Sequence, residues 1–181
     1  VLAGVVRETP VLYSETVNSE MGFNLYLKAE CNQINGSFKS RGAYFAMHQY
    51  FQKNKKKDVV AFSSGNHAQG VAYSANLMGV KATIIMPKDT PKTKIQKTES
   101  LGAKIIFYDR YNESREAIAK KIAIETGAFL IPSYDHYDVI SGQGTAALEA
   151  IHQMALIEEK VDYFVCPVGG GGLIAGCSVA I

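Results

Sequence analysis

Three loops in this sequence carry residues that could do chemistry, and the first of them contains a lysine in an apolar setting. In residues 35–42, Lys39 lies between Phe38 and Arg41. Burial would lower the pKa of this lysine, because desolvation and neighbouring cations disfavour the charged amine. A neutral amine is a nucleophile or a base, and it can hold an aldehyde as a Schiff base. A solvated lysine at the end of a helix is the alternative interpretation.

The second loop, residues 63–69, is rich in groups that bind anionic oxygen atoms. It follows an apolar run and leads into a helical pattern, and its first five residues are Ser63, Ser64, Gly65, Asn66 and His67. Hydroxyl, amide and backbone N–H groups at the start of a helix suit a carboxylate. Helix capping is the simpler explanation, but it accounts for one of these residues and not for all five. A lone histidine is more often packed or exposed than catalytic.

The third loop contains four consecutive glycines, Gly169, Gly170, Gly171 and Gly172, followed by Leu173. Glycines lose more conformational entropy on folding than other residues, so such a run indicates positive φ angles or a close backbone approach. Free N–H groups at the start of a helix suit a phosphate. A dinucleotide-binding turn and a flexible turn are the alternatives, since the spacing to Ala175 fits the dinucleotide fingerprint loosely.

The elements that must position these loops alternate along the chain. Short, continuous apolar runs are typical of strands buried on both faces, and they occupy residues 59–62, 82–86, 104–108, 128–131 and 163–166. Helical patterns cover residues 43–53, 67–78, 91–101, 112–126 and 142–158, and Gly79, Gly102 and Gly127 follow three of them. The order predicts an α/β fold of two open, mostly parallel twisted sheets with helices on both faces. In such sheets, ligands bind at the carboxyl ends of the strands.

The same pattern predicts two domains. Residues 58–136 hold four strand–helix units and form the smaller α/β domain, while residues 1–57 and 137–181 belong to a larger domain. The chain begins at Val1 and stops inside an apolar stretch, so we expect it to be incomplete at its C-terminus. Residues 163–181 carry no charge, but their glycine cluster and Pro167 favour a buried strand and helix over a membrane span.

Composition excludes several classes of protein. With 19 Lys and Arg against 17 Asp and Glu, the net charge of +2 gives no reason to expect a nucleic-acid partner. The three cysteines, Cys31, Cys166 and Cys177, have neither disulfide-framework nor zinc-site spacing, so no metal site is predicted in these residues. An odd cysteine count and the lack of a signal-peptide pattern favour the cytoplasm.

Taken together, the loops resemble a known family. Four motifs occur in order: Ser37-Phe38-Lys39-x-Arg41-Gly42-Ala43, Ser63-Ser64-Gly65-Asn66-His67-Ala68-Gln69-Gly70, Gly142-Gln143-Gly144-Thr145 and Val168-Gly-Gly-Gly-Gly-Leu173. They resemble the serine/threonine dehydratases and serine racemases, which are pyridoxal-phosphate (PLP) enzymes of the tryptophan-synthase-β fold type, fold type II. The resemblance covers essentially the whole chain.

The resemblance implies a role for each matching residue. Lys39 would hold the cofactor aldehyde and move the α-proton, and Phe38 would pack near the ring. The remaining cofactor contacts would come from Asn66, Gly169, Gly170, Gly171, Gly172 and Leu173. Ser63, Ser64, Gly65, His67 and Arg115 would bind the substrate carboxylate. A surface position on its helix is the alternative for Arg115.

The implied reaction is the dehydration and deamination of L-serine or L-threonine to a 2-oxo acid and ammonia. Ser64 leaves serine racemase or threo-3-hydroxyaspartate dehydratase activity open, because a hydroxyl on the face opposite Lys39 could return a proton. The resemblance further implies a homodimer acting on a small amino acid, and a divalent cation (Mg or Ca) bound by residues beyond 181. A nicotinamide-dependent oxidoreductase and a non-catalytic amino-acid sensor are the competing classes, but neither makes use of Lys39.

Overall fold

The computed structural model describes residues 1–181 and contains six strands, seven α-helices and two short 3-10 turns. The strands are β1 (Val11–Tyr13), β2 (Tyr26–Lys28), β3 (Val59–Phe62), β4 (Ala82–Pro87), β5 (Lys104–Tyr108) and β6 (Phe129–Leu130). The helices are α1 (Glu15–Met21), α2 (Lys39–Lys53), α3 (Asn66–Met78), α4 (Lys92–Ser100), α5 (Arg115–Thr126), α6 (Tyr137–Leu156) and α7 (Gly172–Ala180). The 3-10 turns are Glu30–Asn32 and Ile34–Gly36. None of the seven helices combines the length and the apolar character that crossing a bilayer requires.

Four strands form one parallel sheet in the order β5-β4-β3-β6. Side chains alternate between its two faces, so Val59 and Ala61 join the core beneath α2 and α3. Val60 and Ile85 point to the opposite face, where they pack with Ala119 of α5. The predicted α/β class, with a parallel sheet and helices on both faces, is confirmed.

Most of the predicted elements lie where the pattern placed them. Strands β3 and β5 have the predicted bounds, α3 begins one residue earlier than predicted, and α4 is one residue shorter at each end. Gly79 and Gly127 end α3 and α5 in the left-handed conformation, and Gly102 follows α4 with a φ of 87°. Helix α5 begins at Arg115 rather than at residue 112 because the Ser114 hydroxyl caps it, accepting a bond from the Ala117 N–H at 3.2 Å.

One prediction about a strand is wrong. Residues 163–166 form no strand, and Tyr163 and Val165 are about nine-tenths exposed. A strand needs a neighbour to accept its backbone hydrogen bonds, and no strand lies beside this segment. Apart from the parallel sheet, the structure contains one antiparallel pair of strands, β1 with β2. The division into domains 1–57 with 137–181 and 58–136 stays a prediction.

Glycines allow four helices to cross closely around the start of α2. A Cβ on Gly42 would lie 2.7 Å from the Val139 carbonyl oxygen of α6, which is closer than real Cβ contacts come. A Cβ on Gly70 of α3 would lie 3.0 Å from the carbonyl carbon of Lys39. Likewise, a Cβ on Gly176 of α7 would lie 2.7 Å from the Gly144 nitrogen of α6. These contacts fix the first turn of α2, which carries Lys39, against its neighbours.

Candidate active site

Lys39 is the first residue of α2 and is partly buried. Its Nζ donates a hydrogen bond to the Ser133 carbonyl oxygen at 2.8 Å and lies 5.3 Å from the centroid of the Phe38 ring. Desolvation by burial lowers the pKa of Lys39. The amine is therefore closer to its nucleophilic neutral form than a solvated lysine would be.

His67 lies behind this amine in the first turn of α3 and is 3% exposed. Its Nε2 lies 3.3 Å from the Ile131 carbonyl oxygen, and its Nδ1 has no hydrogen-bond partner. Burial, and secondarily the charge of Lys39, lowers the pKa of His67 to about 4, although the Ile131 carbonyl opposes the shift. The imidazole is therefore neutral at pH 7, and it does not add a positive charge next to Lys39.

The depressed pKa of His67 predicts a loss of stability in acid that depends on this side chain. In the unfolded chain His67 is protonated below its pKa of 6.5, whereas in the folded chain it is protonated only below about pH 4. Stability therefore falls as pH drops through this window, by about 3 kcal/mol. We expect His67→Gln to remove this contribution, measured as the urea-unfolding free energy at pH about 7.5 and about 4.5.

The control for this measurement is His152→Gln, since His152 is exposed on α6. This variant should keep the acid sensitivity of the wild type. Equal pH dependence in His67→Gln and the wild type would show that His67 accepts its proton in the folded state as readily as in the unfolded state.

A cavity of about 380 Å³ opens at the carboxyl ends of β3, β4 and β5. Ser63, Ser64 and Arg115 all line it. The Arg115 guanidinium lies 5.2 Å from the centroid of the Phe62 ring, and its Nε donates to a Glu116 carboxylate oxygen at 2.8 Å. The structure thus brings two hydroxyls and two arginines to one cavity, together with Glu113 and Glu116. A substrate carboxylate would be bound by the hydroxyls and by Arg115 in exchange for its bond to Glu116.

Lys39 does not line this cavity, but the two parts of the site meet at the start of α3. Ser63 and Ser64 enter α3 from β3, and His67 follows within its first turn. The Ser63 hydroxyl accepts a hydrogen bond from the Gly65 N–H at 3.2 Å, which orders the loop. A Cβ on Gly65 would lie 4.0 Å from the Lys94 amine of α4, so a second cation stands beside the loop.

The glycine loop offers backbone donors to an anion. The N–H groups of residues 169–171 donate to no other protein group, and no side chain caps α7. Gly171 has a φ of 87°, which favours glycine there, and α7 begins at Gly172. A helix start with free N–H groups fits the phosphate of PLP, and a partly buried lysine fits its aldehyde.

The other predicted cofactor contacts are less constrained by the structure. Asn66 is the first residue of α3, is exposed, and makes no side-chain hydrogen bond. Leu173 is the second residue of α7 and is half-buried. No group of three His, Cys, Asp or Glu side chains is arranged to hold a metal ion.

Sequence reasoning missed the segment that links Lys39 to the glycine loop. The Ser133 carbonyl accepts the Lys39 hydrogen bond, the Tyr134 ring packs against Gly170, and the Cβ and backbone of Tyr134 lie against Gly172. The position of this segment in the sequence could have indicated its role, because it directly follows β6. Strand β6 is parallel to β3, so this segment and the loop at residues 63–69 leave the same edge of the sheet.

Sequence reasoning also missed the role of Arg41, two residues after Lys39. Arg41 is 1% exposed and donates to Glu30 at 2.7 and 2.9 Å and to Glu149 at 3.0 and 3.1 Å. Lys28 also binds Glu149. Burial alone would lower the pKa of Arg41, but the bonds to the two carboxylates raise it overall. This network ties α2 to the N-terminal segment and to α6.

Comparison with known proteins bears directly on this site. The family model described as "Pyridoxal-phosphate dependent enzyme" matches residues 2–181. An L-threo-3-hydroxyaspartate ammonia-lyase from Saccharomyces cerevisiae is 47% identical over 175 residues, covering 97% of this chain and 52% of that protein. A serine racemase from Schizosaccharomyces pombe is 45% identical over 174 residues, covering 96% and 53%.

Solved structures give the same result for the fold. The structure of maize serine racemase superimposes with a TM-score of 0.92 at 39% identity, covering 99% of this chain and 53% of that one. A serine racemase from Dictyostelium discoideum superimposes with a TM-score of 0.91 at 36% identity, covering 99% and 57%. The chain therefore spans about half the length of the relatives it matches.

Proposed function

Because the chain belongs to the family of pyridoxal-phosphate-dependent enzymes, we propose that its protein dehydrates and deaminates a β-hydroxy amino acid, L-threonine or L-serine. The products are a 2-oxo acid and ammonia. One observation carries the proposal: the partly buried Lys39 amine is held by Ser133, and the next residue, Tyr134, packs on the glycine loop. The same short segment thus reaches the group suited to an aldehyde and the group suited to a phosphate.

Each group of residues in the site has a separate role in binding the cofactor or moving a proton. PLP, when bound, supplies a conjugated ring that spreads the electron pair left at Cα of the substrate. Residues 169–172 would hold its phosphate and Lys39 its aldehyde. Phe38 would pack near its ring, and Asn66 and Leu173 would supply further cofactor contacts. Lys39 would also remove the α-proton of the substrate, a role that its lowered pKa supports.

The cavity next to this centre binds the substrate carboxylate. The hydroxyls of Ser63 and Ser64 and the Arg115 guanidinium provide the donors, since these three residues line the cavity. Gly65 contributes to the carboxylate site by ordering the loop, because its N–H donates to the Ser63 hydroxyl. His67, buried and neutral, supports the loop beneath them. With the carboxylate fixed, Lys39 would take up the α-proton. One proton returned to the β-hydroxyl would let it leave as water, so that the elimination releases one H₂O in balance.

The experiment that tests this function is a substrate panel. The PLP-loaded protein is incubated with L-serine, L-threonine and L-threo-3-hydroxyaspartate, and the release of oxo acid, ammonia and D-amino acid is followed. Release of oxo acid with ammonia supports the proposed dehydration. Release of D-amino acid alone contradicts dehydration and indicates racemisation, and the absence of every product contradicts both reactions.

Ser64 supports serine racemase activity as a second candidate function. It lines the cavity beside Ser63, and the 45% identical relative from S. pombe is a serine racemase. Racemisation needs an acid on the face opposite the base, so Ser64→Ala should lower D-serine formation about a hundredfold or more, well beyond the fall in oxo acid formation that the loss of one carboxylate donor causes. The rates of both products from L-serine give the readout.

The control for Ser64 is Ser100→Ala, an exposed serine at the end of α4. It should leave both rates unchanged. A parallel fall of both products in Ser64→Ala would show that this hydroxyl binds substrate and does not carry the returning proton.

We also propose that the protein is a cytoplasmic homodimer. Three free thiols, Cys31, Cys166 and Cys177, support a reducing compartment. Exposed apolar side chains on β1 and β2, Leu12 and Leu27 among them, support association of subunits. Light scattering of the purified protein measures the oligomeric state.

A further inference from the structure

The glycine loop is packed against one side chain, Tyr134. A Cβ on Gly170 would overlap the Tyr134 ring, and a Cβ on Gly172 would lie 2.9 Å from both the Cβ and the carbonyl oxygen of Tyr134. A Cβ on Gly169 or Gly171 would meet no atom within 4 Å. The ring of Tyr134 thus requires glycine at position 170, the backbone and Cβ of residue 134 require it at position 172, and the other two glycines leave their space open.

The contact is not explained by core packing. The Tyr134 side chain is 46% exposed, and its hydroxyl makes no hydrogen bond. A half-exposed ring that leaves room only for glycine at position 170 holds the loop in place without filling an interior. The loop forms no strand, and residues 169 and 170 make no backbone hydrogen bond, whereas the Gly171 carbonyl accepts one from the Ala175 N–H at 2.9 Å.

Tyr134 also adjoins the lysine end of the site. The carbonyl group of the preceding residue, Ser133, accepts the hydrogen bond from the Lys39 amine at 2.8 Å. Two consecutive residues therefore contact the amine and the glycine loop.

We propose that Tyr134 is a positioning residue that holds the glycine loop in the shape that receives an anionic phosphate group. The inference rests on the proposed function, since PLP is the phosphate ligand considered. Four glycines in a row would otherwise sample many backbone conformations, and ordering them on binding would weaken the phosphate contact. The ring orders them on folding, before the ligand arrives.

Two probes separate the phosphate from the rest of the cofactor. PLP and pyridoxal, which lacks the phosphate, are titrated separately into the protein and their dissociation constants are measured from the absorbance change. We expect Tyr134→Ala to weaken PLP about tenfold or more while the affinity for pyridoxal changes less than about twofold. Tyr134→Phe keeps the ring and should bind both as the wild type does.

A second pair of variants keeps the inference falsifiable if Tyr134→Ala is poorly folded. Gly170→Ala introduces the Cβ that overlaps the ring, so it should weaken PLP strongly in the wild-type background. In the Tyr134→Ala background the overlap is gone, and the same substitution should weaken PLP much less. Tyr111→Ala, at an 88% exposed position, is the control for loss of a tyrosine.

Each outcome bears on one hypothesis. Equal PLP affinity in Tyr134→Ala and the wild type overturns the inference and leaves the proposed function intact. An equal loss of affinity for PLP and for pyridoxal in Tyr134→Ala also overturns the inference, because the Tyr134 ring would then act on the part of the cofactor that the two ligands share. A wild-type protein that binds PLP no better than pyridoxal overturns the phosphate site itself, and with it the proposed function.

Discussion

Lys39→Ala is expected to abolish the covalent attachment of PLP and to lower turnover about a thousandfold or more. The Lys39 amine is partly buried, its pKa is lowered by desolvation, and its hydrogen bond to Ser133 holds it next to the segment that packs on the glycine loop. Alanine removes both the nucleophile and the base. Reduction of the loaded protein with borohydride, followed by intact mass measurement, shows whether the cofactor is attached.

Two further variants complete this test. Lys120→Ala removes an exposed lysine from α5 and should keep both the attached mass and the turnover. Lys39→Arg keeps a positive charge without an amine nucleophile and should behave as Lys39→Ala does, because arginine stays protonated. A borohydride-stable adduct in Lys39→Ala would assign the attachment to another lysine.

The sequence predicted the parallel sheet well because its strands are buried on both faces. Continuous apolar runs such as residues 59–62 and 104–108 have few alternative structures in a chain of this composition. The C-terminal ends of α3 and α5 could also be predicted, since Gly79 and Gly127 adopt the left-handed conformation that other residues avoid. Local chemistry alone determines these features.

The failures concern features that depend on a partner distant in sequence. Residues 163–166 have the composition of a strand, but a strand exists only where another strand lies beside it. The pair β1 and β2 is only three residues long on each side, too short for a periodic pattern to be visible. In both cases the local sequence does not show whether a strand forms, because strand formation depends on pairing with another strand.

The candidate site shows the same division. The three loops could be found because unusual residues cluster in each of them, and parallel strands bring loops of this kind to one edge of a sheet. The link through Ser133 could not be found in this way, because the acceptor is a backbone carbonyl that every residue possesses. Tyr134 was visible as a residue, but its contact with Gly170 depends on how α6 and α7 cross.

Arg41 is the largest of these hidden contributions, and we expect Arg41→Gln to lower the free energy of unfolding by about 3–5 kcal/mol. Arg41 is 1% exposed, and its bonds reach both Glu30 and Glu149, whose side chains are 15% and 17% exposed. Removing the cation leaves two carboxylates close together, largely desolvated, with only Lys28 to balance them. Urea unfolding of wild type and variant measures the difference.

A second arginine provides a matched control, because Arg110 also forms a short ion pair. Its bond to Asp89 is 2.7 Å, but the two side chains are 47% and 59% exposed. Water screens such a pair, so Arg110→Gln should change the free energy of unfolding by about 1 kcal/mol or less. Equal losses in the two variants would mean that burial adds nothing to the Arg41 network. A large loss in Arg41→Gln alone, accompanied by weaker PLP binding, would show that the network holds the turn that presents Lys39, since α2 begins only two residues before Arg41.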